Sequence, residues 1–521
     1  MRTPKFFFSL LVPVLAMHGQ SQPDFFSFTE LLQLSGETKP EPALQKKLDG
    51  VLNNPVVGQY AVEAGVPPAR PTVAPLGPVL RALFWNIERG QKFDLIRLAL
   101  SDPEGFAAEA AKNPQSTPAT LAAIREQVSL LKQADLLMLN EVDIGMKRSD
   151  YRDVGRELAA TLKMNYVFGV EFVELDPVML GAEKVELKDE DLAARIQKEM
   201  EADPQRLRAF HGSAILSRYP IHDPRILRLP DCHDWFTDES KPVPLIEKSK
   251  RFASNKAFLE ELTSERRRGG RIVILAGLEI PEAPGSSITV ASAHLENKGK
   301  AQCRATQMNF LFDRLKSISG PVIVAGDMNT TGSDGAILSL PYILQTKVKD
   351  YRFWGQQIWK IANPVNFFGT AALAKYARKY TDPTVLDVPV FANNREYHLF
   401  KNVRNYRFAD GGAFDFRGDP TRTVNGTAKT LANSNQRDSK GFVYTFALPR
   451  DYKGTVGRYK LDWFFIKPAG PVAGEPARQL RAFMPWFART YQDVNAAPEE
   501  RISDHAPMTV DLPLLQRPGG N

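Results

Sequence analysis

V-I-V-A-G-D-M-N-T-T, residues 322–331, is the stretch from which the architecture of this chain is read. A short apolar run of strand character breaks abruptly at Asp327 and Asn329. A carboxylate placed directly after an apolar strand is drawn to a low-dielectric edge, where it needs a partner, a cation or a proton. Outward from this point the pattern recurs. W-N-I-E-R-G (85–90) sets Asn86 and Glu88 at the end of the run 81–86, and L-L-M-L-N-E-V-D (136–143) sets Asn140 and Glu141 at the end of 135–140. V-A-S-A-H-L-E-N (290–297) places His294 after 287–293, K-L-D-W-F-F-I (460–466) holds Asp462 at the start of a strand, and I-S-D-H-A-P-M (502–508) carries Asp504 and His505. Further strand-like runs lie at 213–217 and 271–276. Helical periods fall between them: Leu121, Ile124, Val128 and Leu131; Val154, Leu158 and Leu162; Ala305, Met308, Phe312 and Leu315. Strands mixed with helices predict a layered α/β domain, and polar strand ends gather on one rim when strands share a sheet.

The 521 residues are 43% hydrophobic and 10% aromatic, which excludes a disordered chain. Lys plus Arg number 67 against 60 Asp plus Glu, a mild excess of +7 that permits an anionic partner without requiring one. Two cysteines, Cys232 and Cys303, exclude a disulfide scaffold and a four-cysteine zinc site. Arg2 and Lys5 precede the apolar run F-F-F-S-L-L-V-P-V-L-A (6–16), so a signal peptide is expected over 1–21 and a secreted or periplasmic location with it. In an oxidising compartment the two cysteines could pair. No later run is apolar for eighteen residues, so no integral membrane span is expected.

Residues 22–80 read as a helical preface and a linker broken by Pro67, Pro68, Pro71, Pro75 and Pro78. Two stretches read as insertions: 178–209, highly charged with a weak helical period at Leu192, Ile196 and Met200, and about 330–460. Residues 391–460 hold thirteen Lys or Arg against six Asp or Glu, together with twelve Phe or Tyr. Basic residues interleaved with aromatics suit a surface for phosphates and bases or for lipid headgroups. The plainer reading, a lobe with its own small core, is taken for most of those rings. Arg266 to Arg268 reads as a solvated loop.

Taken singly, the polar strand ends have ordinary explanations: an Asp-x-Asn turn, a hydrogen-bonded histidine, a capping glutamate. Taken together they supply hard oxygen ligands of the kind that suit Mg2+, Mn2+ or Ca2+, two imidazoles, and an aspartate able to orient one of them. The chain has no Walker loop, no dinucleotide fingerprint and no G-x-S-x-G elbow.

The ordered set WNIERG, LNEVD, HGSAILSRYPI, SAHLEN, VAGDMN, LDWFF and SDHAP resembles the endonuclease/exonuclease/phosphatase superfamily across about residues 81–515. The resemblance implies an α/β fold, a four-layer sandwich of two mixed β-sheets flanked by helices, with added loops and an inserted lobe at about 330–460. It implies an exported divalent-metal-dependent phosphoesterase, with Mg2+ (or Mn2+ or Ca2+) as cofactor and a phosphodiester substrate, whether DNA, RNA or a lipid or small phosphoester. On this resemblance Glu141 is the principal metal carboxylate, Asn86 helps hold the metal and its water, and Asp504 is a second carboxylate beside it. Asp327 and Asn329 activate water and position the phosphate. His505 contacts the scissile phosphate, Asp462 orients His505, and His294 is a second histidine near the leaving oxygen. Arg148 and Arg218 stand beside motifs as candidate phosphate contacts, with structural ion pairs as the other reading. Ser213 departs from the asparagine common at its position. The competing class is a non-catalytic protein that binds anionic ligands on the same fold. The presence of Glu141, Asp327, Asn329, Asp462, Asp504 and His505 argues against it.

Overall fold

The computed structural model describes residues 23–185, 190–240, 265–330, 384, 387–388, 392–393, 396–438, 441–452, 456–470 and 481–515. The proposed signal peptide and most of the interval 331–395 lie outside the described residues. The larger sheet runs, in order, Val56–Gly58, Asn165–Glu174, Phe210–Ser217, Leu136–Ile144, Gly77–Arg89, Met508–Pro513 and Trp486–Thr490. The smaller runs Asp462–Lys467, Val322–Asp327, Ser287–His294, Ile272–Glu279 and Ile221–Arg228. Both are mixed: Gly77–Arg89 pairs parallel with Leu136–Ile144, and Ser287–His294 parallel with Val322–Asp327, among antiparallel neighbours.

Side-chain parity explains why the sheets stack. Successive residues of a strand face opposite sides, and here both sides are apolar. Leu80, Ala82 and Phe84 join Leu136, Met138, Ile215, Ile274, Val290, Ile323, Ala325, Phe464 and Ile466 in one buried cluster between the sheets. The alternate residues Leu83, Trp85, Leu137 and Leu139 pack outward with Ile124, Val128, Leu131, Val154 and Leu158 of the helices Pro118–Lys132 and Val154–Leu162. On the far side Val322, Val324, Trp463 and Phe465 pack with Met308, Leu311, Phe312 and Leu315 of Ala301–Leu315. The result is the helix–sheet–sheet–helix sandwich the motifs imply. Each fully buried Leu, Ile or Phe in these layers contributes about 1.5–3 kcal/mol.

Several expectations change in detail. The preface is part of the main body, because Leu31, Leu34, Leu44 and Leu48 pack into the outer helical layer and Val56–Gly58 adds a strand beside Asn165–Glu174. Arg267 is not in a solvated loop. It lies in strand Arg267–Gly269, is buried, and stacks over Trp235 at 4.5 Å. The rings expected to be mostly core in 391–460 behave so: Phe400, Phe408, Phe414 and Phe442 are buried against Trp463 and Phe465. Cys232 and Cys303 form a disulfide with Cα atoms 6.0 Å apart. Among the described residues no helix is long and apolar enough to cross a membrane.

Candidate active site

The parity that fills the inter-sheet layer also builds the site. Asn86 continues the series Leu80, Ala82, Phe84, and Asn140 continues Leu136, Met138. Asp327 continues Ile323, Ala325, Asp462 precedes Phe464, Ile466, and His294 follows Ile288, Val290. One face of each strand therefore changes from hydrocarbon to polar at the same height. Register places them side by side: His294 pairs with Asp327, Asp327 with Asp462, and Asn86 with Asn140.

Glu141 is reached differently. Its parity is that of Leu137 and Leu139, which face the helices. A bulge shifts the register between Leu139 and Val142, and Glu141 takes φ 53°, a left-handed conformation uncommon for a non-glycine residue. This turns the carboxylate to the cap, where Asn86 Nδ2 donates to Glu141 Oε1 at 3.1 Å and to Asp327 Oδ2 at 3.3 Å. A second bulge follows Asn86, with Glu88 at φ 46°. The loop carrying Asp504 and His505 is tied to the same strand end: Ser503 Oγ donates to the Asn86 carbonyl, Trp85 Nε1 to the His505 carbonyl, and the Asp504 amide to Glu88 Oε2.

Asp327 lies at the centre. His505 Nε2 is 3.6 Å and His294 Nε2 3.9 Å from its Oδ2. Each imidazole has its other nitrogen on a buried carboxylate: His505 Nδ1 is 2.8 Å from Asp462 Oδ2, and His294 Nδ1 is 3.0 Å from Glu171 Oε2. Arg271 Nη1 contacts both His294 nitrogens at 2.9 Å and Glu171 at 3.0 Å. Asn329, at φ 48°, donates its side-chain amide to the Leu295 carbonyl and its backbone amide to Asp327 Oδ1. Asn140 bridges the sheets, accepting from the Asp327 amide and donating to Ser213 Oγ, which donates to Glu171. Ser213, the departure noted in the sequence, is thus the link between Asn140 and Glu171.

Electrostatics divide the site in two. Burial lowers the His505 pKa, but Asp462, Asp327 and Asp504 outweigh it and push it well above the ordinary imidazole value. Burial raises Asp327, and Asp462 raises it further, against the lowering by His505 and His294. At the rim, burial followed by Asp504 lifts Glu88 to about 7, and burial with Glu141 lifts Asp504. Burial also works to raise Glu141, but Arg89 and His211, His294 and His505 hold it below the carboxylate range. Glu88, Glu141 and Asp504 act on one another electrostatically at the rim, and carboxylates are the oxygen donors that suit a hard divalent cation. Among the described residues, Asp327, Asp462 and His505 are the group that brings ligand atoms within 4.8 Å of one another. Within that grouping His505 Nδ1 and Asp462 Oδ2 already pair at 2.8 Å.

Three of the expected site residues have other partners in the structure. Asn86 presents its amide nitrogen to the carboxylates while its oxygen accepts from the Glu88 amide, so it braces the carboxylates. Arg148 is spent on Asp143 at 2.6 and 3.1 Å and on Glu174 at 3.3 Å. Arg218 follows Ser217, which pairs with Leu136 at the opposite end of the strand from Glu141. It donates to the carbonyls of Ala134, Leu162 and Lys132. The residues that motif reading passed over are Glu171, Arg271 and the pair His211–Asp143, whose Nδ1 and Oδ1 are 2.8 Å apart. Glu171 left a signal, a carboxylate inside the apolar run V-F-G-V-E-F-V (167–173), where a charge is buried only with partners.

Residues 83–505 match the profile of the Endonuclease/Exonuclease/phosphatase family. Among solved structures, an endonuclease/exonuclease/phosphatase from Beutenbergia cavernae is 14% identical, with 84% of this chain and 71% of that chain aligned at a TM-score of 0.36. The human Nocturnin catalytic domain is 12% identical over 88% of this chain and 96% of its own, at 0.34. The 3'-5' exonuclease NExo from Neisseria meningitidis is 12% identical over 83% and 99%, at 0.36. No curated protein matches the sequence.

Proposed function

Because this chain belongs to the endonuclease/exonuclease/phosphatase family, we propose that it is an exported, divalent-metal-dependent hydrolase of phosphodiester bonds. The observation that carries the reading is the convergence on Asp327 of two imidazoles, each held by its own buried carboxylate, beside a crowded acidic rim. Glu141 and Asp504, with Glu88, would hold the cation, Mg2+ first and Mn2+ or Ca2+ as alternatives. When bound, such an ion offsets the charge of the phosphate and stabilises the additional charge of the transition state.

The chain's own groups supply the rest. Asp327, buried and raised in pKa, accepts the proton of the attacking water as its oxygen bonds to phosphorus. Asp462 fixes the His505 ring through Nδ1, so Nε2 of the imidazolium points a proton at the developing negative charge. His294, braced by Glu171, donates to the leaving oxygen as the P–O bond breaks. Asn329, oriented by the Leu295 carbonyl, positions the phosphate. The substrate is nucleic acid or a phosphorylated headgroup. The Cys232–Cys303 disulfide supports export, since such bonds persist in oxidising compartments.

The test is a panel of plasmid, single-stranded DNA, RNA, sphingomyelin, inositol phosphates and a chromogenic diester, each with Mg2+, Mn2+, Ca2+ or chelator. Turnover of at least one diester is expected with a cation and none with chelator. Asp327→Asn and His505→Ala should each lose at least a hundredfold in kcat. Full turnover by either variant refutes the assignment.

A further inference from the structure

A cavity of about 390 Å³ beside the Glu141 strand has no part in the chemistry above. Its walls bring together the N-terminal segment at Phe25, the strand end at Ile144 and Gly145 with Tyr151 beyond, the helix start at Asp153 and Arg156, and the approach to the next strand at Arg206 and Arg208. Three guanidinium groups face one carboxylate. Asp153 caps the helix Val154–Leu162 and pairs with Arg156 at 2.9 Å. Arg206 lies over the Tyr151 ring at 4.3 Å, and its ion pair with Asp150, 3.5 Å long and exposed at both ends, contributes little. Arg208 sits 5.3 Å from the Phe25 ring, donates to the Gln205 and Leu207 carbonyls, and has no carboxylate partner among the described residues. Gly145 makes the approach possible. At φ 65° it turns the chain, and a Cβ there would come within 2.8 Å of the Arg208 backbone nitrogen.

The same strand that presents Glu141 runs into this cavity. Gly145 lies four positions beyond Glu141, about 13 Å at the rise of a strand. A headgroup or small diester is shorter than that span, whereas a polymer of repeating phosphates covers it. Guanidinium groups over aromatic rings are the chemistry that takes a phosphate together with a stacked base.

We propose that this rim cavity is a subsite for a flanking nucleotide of single-stranded nucleic acid, with Arg208 and Arg206 on its phosphate and the base against the Arg206–Tyr151 stack. The proposal rests on the phosphodiesterase reading and selects nucleic acid within it.

The test uses the full chain and its Arg206→Ala/Arg208→Ala variant. Three readouts are taken: hydrolysis of a single-stranded octanucleotide, hydrolysis of a chromogenic diester too small to span the gap, and fluorescence anisotropy of a labelled octanucleotide in chelator. The variant should raise the octanucleotide KM and Kd about tenfold or more. It should reduce the slope of log affinity against log salt by about 0.7, the loss of one phosphate contact on a single strand. Turnover of the small diester should be unchanged. Equal octanucleotide affinity and salt slope in variant and parent overturn the subsite, and so does a parallel loss on the small diester, which would place both arginines in fold or chemistry. If the parent hydrolyses no diester, the functional reading fails, and the anisotropy measurement still decides the cavity.

Discussion

Asp462→Asn isolates the contribution of the carboxylate behind His505. The Asp462 oxygen is 2.8 Å from His505 Nδ1, both groups are buried, and Asp462 is the largest influence raising the imidazole. A hydrogen bond to a charged group contributes about 1.5–3 kcal/mol, and a neutral replacement about 1 kcal/mol, so the imidazolium loses about 0.5–2 kcal/mol. At 1.36 kcal/mol per factor of ten, that alone costs about tenfold in kcat. The amide adds a second cost, because it can turn its NH2 toward Nδ1 and drive the ring proton to the wrong nitrogen. The expected loss is therefore ten- to a thousandfold, with KM within about twofold. The same loss lowers the His505 pKa, since Asp462 is the largest of the carboxylates that raise it. The basic limb of the kcat–pH profile therefore moves toward lower pH. The assay is a pH series on a chromogenic diester, with near-ultraviolet circular dichroism confirming the fold. An unmoved basic limb with kcat within twofold of the parent would refute the role given to this pair.

Two further outcomes concern stability. Burial raises Glu174, but Arg267 and Arg148 outweigh it and hold the carboxyl at about 2, while Arg148 and His211 likewise depress Asp143. A depressed carboxyl stabilises the fold above its unfolded pKa of about 4.3 and loses that contribution as pH falls through the folded value. The melting temperature should therefore drop steeply between about pH 4.5 and 2, and Glu174→Gln should flatten that slope; a parallel slope in the variant would contradict it. Cys303→Ser opens a loop closed by cysteines 71 residues apart, which by loop entropy costs about 4 kcal/mol, measured by denaturant unfolding without reductant. A loss under 1 kcal/mol would mean that the bridge adds little constraint.

The chemistry was readable because it sits at strand ends. An apolar run that stops at Asp327, Glu141 or His294 announces both a strand and a polar terminus, and local order along the chain carries that message. What was not readable involved partners distant in sequence. Arg148 and Arg218 stand near motifs much as the true cap residues do, and only packing separates an arginine committed to Asp143 and Glu174 from one facing a substrate. Glu171 lies 123 positions from His294, and neither residue names the other.

By itself the sequence determined the period-two alternation that makes each strand apolar on both faces, and hence a sandwich with helices outside. It also determined which residue types crown those strands. Tertiary structure decided the rest: the height at which three neighbouring strands align His294, Asp327 and Asp462, the bulge that turns Glu141 inward, and the side of Asn86 that meets the carboxylates. Register and side-chain rotation depend on contacts between segments hundreds of residues apart, and no local pattern encodes them.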